Sequence, residues 1–246
     1  MELVIVCLHA PFHNTKIWHG ILNLAKDLPI KGISLIGDIL DLNSLSFHDR
    51  GKTPLLINGL PLDLRTEYRS TDIFDELDSV CNSRITKRFL YGNHEDRYLR
   101  TAQHPDSFKI MAESPEEYFR LRERGYEVKT EWKNDYYKLG DHLQLFHGEL
   151  LGVNPAKRQL DKLKKSCMFG HSHRAGTHHD GAMVAYNIGC LVDVNSPVFN
   201  YAGRLVKRNW IMGFGLVTIS DGGDFYANPI TCYNDRFYYN GKVYGG

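Results

Sequence analysis

Residues 33–41 read Ile33-Ser34-Leu35-Ile36-Gly37-Asp38-Ile39-Leu40-Asp41. A short apolar run stops at a glycine and then delivers two carboxylates. The same construction recurs along the chain. Leu3 to Cys7 (LVIVC) runs into His9, and Phe89 to Tyr91 runs into Gly92-Asn93-His94. Leu143 to Phe146 (LQLF) runs into His147-Gly148, and Cys167 to Phe169 (CMF) runs into Gly170-His171-Ser172-His173. Runs of this length, rich in β-branched and aromatic residues, read as buried strands.

Helical patterns fill the intervals. Asn14 or Thr15 is placed to cap a helix through about Leu28, and Thr66 to Ser83 shows an apolar period at Ile73, Leu77 and Val80. His94 to about Gln103 and Pro115 to Arg124 also read as helices. Asn154-Pro155 opens another that ends near Lys165, with proline suited to the first turn. Strand–helix alternation gives a layered α/β domain, in which ligands bind at the carboxyl ends of the strands. Asn43 to Arg65, with Gly51, Pro54, Gly59 and Pro61, reads as a long loop beside that edge: a lid or an inert insertion. In the last third, Ala182 to Asn187, Ile211 to Ile219, Asp224 to Ile230 and Phe237 to Val243 read as successive strands. No linker precedes them, so the expectation is one domain over 1–246, with a second sheet packed on the first.

Composition narrows the function classes. Thirty basic and twenty-nine acidic residues leave a formal charge of +1, so no whole-protein field attracts nucleic acid or an anionic membrane; a local patch is still open. Basic residues cluster at Arg84-Lys87-Arg88, at Lys157-Arg158 with Lys162, Lys164 and Lys165, and at Arg204-Lys207-Arg208. These read as solvated helix faces, or as a nucleic-acid track if they converge. Five cysteines, none in a CxxC spacing, argue against a disulfide framework or a structural zinc knot and for a reducing compartment. Met1-Glu2-Leu3-Val4 lacks the basic start of a signal peptide, and no apolar run is long enough for a membrane span. A cytoplasmic protein is expected. Twelve histidines are conspicuous in a chain this size, because histidine is the commonest metal ligand.

Taken together and in order, CLH (7–9), GDILD (37–41), GNHE (92–95), HG (147–148) and GHSH (170–173) resemble the blocks of the calcineurin-like metallophosphoesterases, DxH, GDxxD, GNHE/D, H and GHxH. The resemblance implies a four-layer αββα sandwich, two mixed β-sheets flanked by helices. It also implies a hydrolase holding two divalent ions (manganese, zinc or iron) that cleaves a phosphodiester or phosphomonoester, with a nucleic acid or nucleotide among the possible substrates. Carried over residue by residue, Cys7, His9, Asp38 and His173 would hold one ion, and Asp38, Asn93, His147 and His171 the other. His94 would protonate or stabilise the leaving oxygen. Asp41 and Glu95 would orient ligands by hydrogen bonds, while His13 and Arg97 are candidates to meet the substrate. The chemistry suits these residues: two close cations clamp a phosphate and acidify water, and imidazoles favour manganese, zinc or iron over magnesium.

Cys7 departs from the pattern, since the family has aspartate there. The RNA lariat debranching enzymes share the change but are longer. A thiolate shifts preference towards zinc or ferrous iron and is open to oxidation. The contrary reading is an inert strand cysteine with one ion lost, leaving a metal-deficient, non-catalytic binding or scaffold module on the same fold.

Overall fold

The computed structural model describes residues 1–46, 63–81, 84–103 and 112–246. His48, His104 and most of the candidate lid lie outside them.

In chain order the elements are β1 (Glu2–Ile5), α1 (Thr15–Asp27), β2 (Gly32–Ile36), α2 (Leu64–Arg69), α3 (Ile73–Val80), β3 (Thr86–Leu90), α4 (Asp96–Ala102), α5 (Pro115–Tyr118), β4 (Tyr126–Lys129), β5 (Tyr137–Leu139), β6 (Leu143–Leu145), α6 (Pro155–Leu163), β7 (Cys167–Phe169), β8 (Ala175–Asp180), β9 (Met183–Ile188), α7 (Arg204–Lys207), β10 (Met212–Ile219), β11 (Phe225–Cys232), β12 (Arg236–Tyr239) and β13 (Lys242–Gly245). Six strands form one sheet in the order β11-β10-β1-β2-β3-β4, and five form a second in the order β5-β6-β7-β9-β8. Both are mixed: β1 to β4 run parallel while β10 and β11 are antiparallel, and β6, β7 and β9 run parallel between antiparallel β5 and β8.

The alternation of β1 builds the layers. Leu3 and Ile5 face Trp18 and Ile21 of α1 and Phe74 and Leu77 of α3. Val4 and Val6 point the other way, onto Leu143, Leu145, Met168 and Phe169 of the second sheet. Helix α6 covers the far face of that sheet, against β8 and β9. The result is the expected αββα sandwich. Its outer helices are set by sequence: Asn14 caps α1 by accepting from the Ile17 amide, and α6 opens with Pro155 at its first turn.

Several boundaries differ from expectation. The helix read over Thr66 to Ser83 is two helices broken at Ser70–Asp72, where Ser70 turns its hydroxyl back onto the Thr66 carbonyl and competes with the helical ladder. The helix read over Pro115 to Arg124 stops at Tyr118, and Arg120 is left-handed. The last third does not form the second sheet by itself. Strand β9 joins that sheet, β10 and β11 extend the first, and Phe237 to Val243 spans a separate hairpin, β12–β13, packed on α1. No described helix is long and apolar enough to cross a membrane, and all five cysteines are free.

Candidate metal centre

The chain past β1 and the chain past β2 run side by side beyond the sheet edge. The amides of Cys7, His9 and Ala10 donate to the carbonyls of Gly37, Asp38 and Ile39 at 3.0, 2.9 and 2.8 Å. This ladder puts Cys7, His9 and Asp38 on one ledge. Asn93 and His94 follow β3, His147 follows β6, and His171 and His173 follow β7, so both sheets deliver side chains to one edge. Cys7, His9, Asp38, His171 and His173 all adopt φ between 48° and 62°. That left-handed backbone is unusual for such residues and concentrates at functional sites. Two motif glycines are demanded by space: a Cβ on Gly92 would lie 2.2 Å from Asp38 Oδ1, and one on Gly37 2.5 Å from His147 Nδ1.

Glu95 holds the ledge in place. Its buried carboxylate accepts from four amides, those of Asp38 (2.9 Å), Ile39 (2.8 Å), Leu40 (2.9 Å) and Gly92 (2.8 Å). Burial and the neighbouring Asp38 carboxylate nevertheless push its pKa up to about 7.

The protons of the histidines can be placed from their partners. His147 Nδ1 lies 3.2 Å from the Ile36 carbonyl, which only accepts, so Nδ1 carries the proton. The Nε2 lone pair of neutral His147 then faces Asp38 Oδ2 at 3.2 Å, Asn93 Oδ1 at 3.0 Å and His171 Nδ1 at 3.2 Å. His9 repeats the pattern. Its Nδ1 donates to Asp41 at 2.8 Å, and its Nε2 faces His173 Nε2 at 3.1 Å and Asp38 Oδ2 at 3.8 Å. Two buried groups of imidazole nitrogens and side-chain oxygens therefore share Asp38. The thiol of Cys7 borders both: its sulfur lies within 4.8 Å of ligand atoms of His9 and His173, and likewise of Asp38 and His147.

Electrostatics agree with that placement. Burial lowers the pKa of His9 and of His173, and takes His171 to about 4, so the neutral form of these imidazoles is favoured. Burial also opposes charge on His147, yet Asp38 beside it raises its pKa; positive charge is favoured at that point. Burial and the Asp38 carboxylate hold the Cys7 thiol well above its ordinary range. Cys7, His9 and His173, and Cys7, Asp38 and His147, each bring ligand atoms within 4.8 Å of one another, and nitrogen, oxygen and sulfur donors so gathered fit divalent cations.

His94 stands at the rim of the cluster. Its Nδ1 donates to the Asp41 carbonyl at 2.7 Å, and its Nε2, 4.0 Å from Asp38 Oδ2, accepts from Arg97 at 3.1 Å. Arg97 also donates to the Asp41 carbonyl at 3.0 Å. Of the residues singled out from sequence, only His13 falls elsewhere. It bridges Val192, packs edge-on to Trp18 and lines a separate cavity.

The layered αββα architecture is the one the sequence leads one to expect. No protein-family model matches the chain, and no curated protein matches it. Similar solved structures include Vps29 from Cryptosporidium parvum, 13% identical, covering 98% of this chain and 93% of that one at a TM-score of 0.46. Zinc-complexed Vps29 from Entamoeba histolytica is 14% identical, with 98% and 94% covered and a TM-score of 0.44. An archaeal phosphodiesterase is 10% identical, with 93% and 98% covered and a TM-score of 0.47. At such identities and scores these likenesses carry no weight for function.

Sequence reading missed an aromatic wall. Trp132 sits 6.0 Å from the His147 ring and 5.9 Å from His171, while Trp210 lies 4.5 Å from His173 and Phe199 5.6 Å from His9. These rings pack against the histidines. None belongs to a motif, and the only signal was the presence of tryptophans in a chain with three.

Proposed function

We propose that this chain is a metal-dependent phosphoesterase. The observation that carries the reading is the pair of buried histidine groups that share one carboxylate, Asp38. Cys7, His9, Asp38 and His173 would hold one divalent ion, and Asp38, Asn93, His147 and His171 the other. The mixture of nitrogen, oxygen and sulfur donors suits manganese, zinc or iron. When bound, such ions neutralise phosphoryl oxygens and acidify water.

The remaining work belongs to the chain itself. Asp41 fixes the His9 ring by accepting from Nδ1, so that Nε2 points into the cluster. Glu95 sets the backbone that aims Asp38. His94 and Arg97 act as a pair: a phosphoryl group beside Asp38 attracts the Arg97 guanidinium, which releases His94 Nε2 to hold a proton for the leaving oxygen.

The test is hydrolysis of bis-p-nitrophenyl phosphate and p-nitrophenyl phosphate with manganese added. Turnover is expected, falling by roughly a hundredfold or more in His94→Ala. No turnover with any divalent metal, in protein shown to be folded, refutes the proposal and leaves a binding module on this fold.

A further inference from the structure

A groove of about 500 Å³ opens between the N-terminus of α6, the start of β8 and the turn after α7. It lies on the same edge of the second sheet as the histidine cluster. Arg174 follows His173 directly, the Ile211 amide on its wall donates to the His173 carbonyl at 2.8 Å, and Asn187 on its floor donates to Ser172 at 2.6 Å. One residue from each of two basic clusters, Lys157 and Arg208, lines the groove, and Arg174 joins them. Among the described residues, no carboxylate lines the groove. Lys157 pairs with Asp161 one helical turn away, whereas the guanidinium groups of Arg174 and Arg208 have no carboxylate partner among the described residues. The third cluster is consumed structurally: Lys87 pairs with Asp78 and Arg88 with Glu2.

The floor adds a second requirement. Asn187 is only 1% exposed, and its Oδ1 has no hydrogen-bond partner. The groove therefore offers two unpaired guanidiniums to an anion and one buried acceptor to a hydroxyl or N–H. A nucleotide unit carries both kinds of group. The volume suits one or two such units, and a duplex is far too wide for it.

We propose that this groove is the track for the flanking phosphates of a single-stranded nucleic acid, and that the ester cut at the adjoining cluster is an internucleotide bond. The proposal rests on the phosphoesterase reading. The chemistry is hydrolysis: water's oxygen bonds to phosphorus, the bond from phosphorus to one sugar oxygen breaks, and a proton goes to that departing oxygen.

Binding is measured by fluorescence anisotropy of a short labelled single strand, in EDTA so that cleavage does not intervene. The chains compared are native, Arg174→Glu/Arg208→Glu and the surface-only pair Lys157→Glu/Arg208→Glu, each verified as folded by circular dichroism. Affinity is expected to fall at least tenfold in both variants, and the slope of log K against log salt to shrink by about one to two. With manganese present, kcat/KM for the strand relative to bis-p-nitrophenyl phosphate is expected to fall at least tenfold. Unchanged strand affinity, tighter binding of a duplex than of a single strand, or equal losses on both substrates overturns the proposal. If the native chain hydrolyses neither substrate, the phosphoesterase reading fails, and the anisotropy result still decides the groove.

Discussion

Glu95 is the residue through which the ledge can be tested most quantitatively. Its two oxygens satisfy four amides at 2.8–2.9 Å in a fully buried setting. Glu95→Ala orphans all four. An unsatisfied buried donor costs about 1–3 kcal/mol, so the loss is about 4 kcal/mol or more, a large part of the ~5–15 kcal/mol available to a domain. Glu95→Gln keeps the shape but turns an NH2 towards two of the amides, a loss of about 2–6 kcal/mol. Against this stands relief from burying a charge. Burial and Asp38 raise the Glu95 pKa from 4.5 to about 7, which amounts to about 3 kcal/mol against the ionised form above that pH. At pH 8 that relief applies to both variants, so Gln is expected to differ from native by roughly −1 to 3 kcal/mol and Ala to be lower by roughly 1–9 kcal/mol. Urea denaturation followed by circular dichroism measures it. Manganese-dependent turnover of the folded Gln variant should also fall at least tenfold, since the amides that aim Asp38 are no longer held. If Glu95→Ala is as stable as the native chain, or Glu95→Gln turns over at the native rate, the clamp is not what positions Asp38.

Other consequences are as direct. Glu67 accepts from the Asn43 and Ser44 amides and the Ser44 hydroxyl, and burial together with the Asp41 charge lifts its pKa to about 7. The folded state thus holds a proton that the unfolded state has lost above about pH 4.5. Stability should fall as pH rises from about 4.5 to 7, by up to about 3 kcal/mol, and Glu67→Gln should flatten that limb in denaturation titrations; an unaltered limb rules the assignment out. Trp132 and Trp210 flank the histidines, so manganese should quench tryptophan fluorescence, with the signal reduced in Trp132→Phe and in Trp210→Phe; quenching that survives the double variant unchanged places the ions elsewhere. Arg97→Ala should lower kcat about tenfold or more, as loss of an electrostatic stabiliser does, while the number of ions bound stays the same. A variant that keeps native kcat excludes Arg97 from the reaction.

The strands that lead into the candidate site were legible because burial on both faces makes each a dense apolar run, and because polar residues of a few kinds follow each run in the same way. Strand β8 was not legible: Ala175–Asp180 is an edge strand, nearly all exposed, with no apolar alternation to read. The short strands β4 and β5, Tyr126–Lys129 and Tyr137–Leu139, hide their period in three or four residues. Sequence reading grouped β10 with a second sheet because a strand's pattern reveals what it buries and not which neighbour it joins. At the site, Cys7, His9, Asp38, Asn93, His94, His147, His171 and His173 were nameable in advance, and the structure brings them together. His13 was placed near them by its closeness to His9, but the chain turns after Ala10 and carries it to Trp18 and Val192 instead. The role of Arg97 as a cap on His94, and the tryptophan wall, depend on contacts across elements that no local pattern encodes.

Metal content decides whether the two groups of side chains that share Asp38 hold two ions. Native protein, equilibrated with manganese, dialysed and shown to be folded, is predicted to retain two ions per chain by elemental analysis, with His147→Ala retaining one or fewer. A folded native chain that retains none contradicts the account.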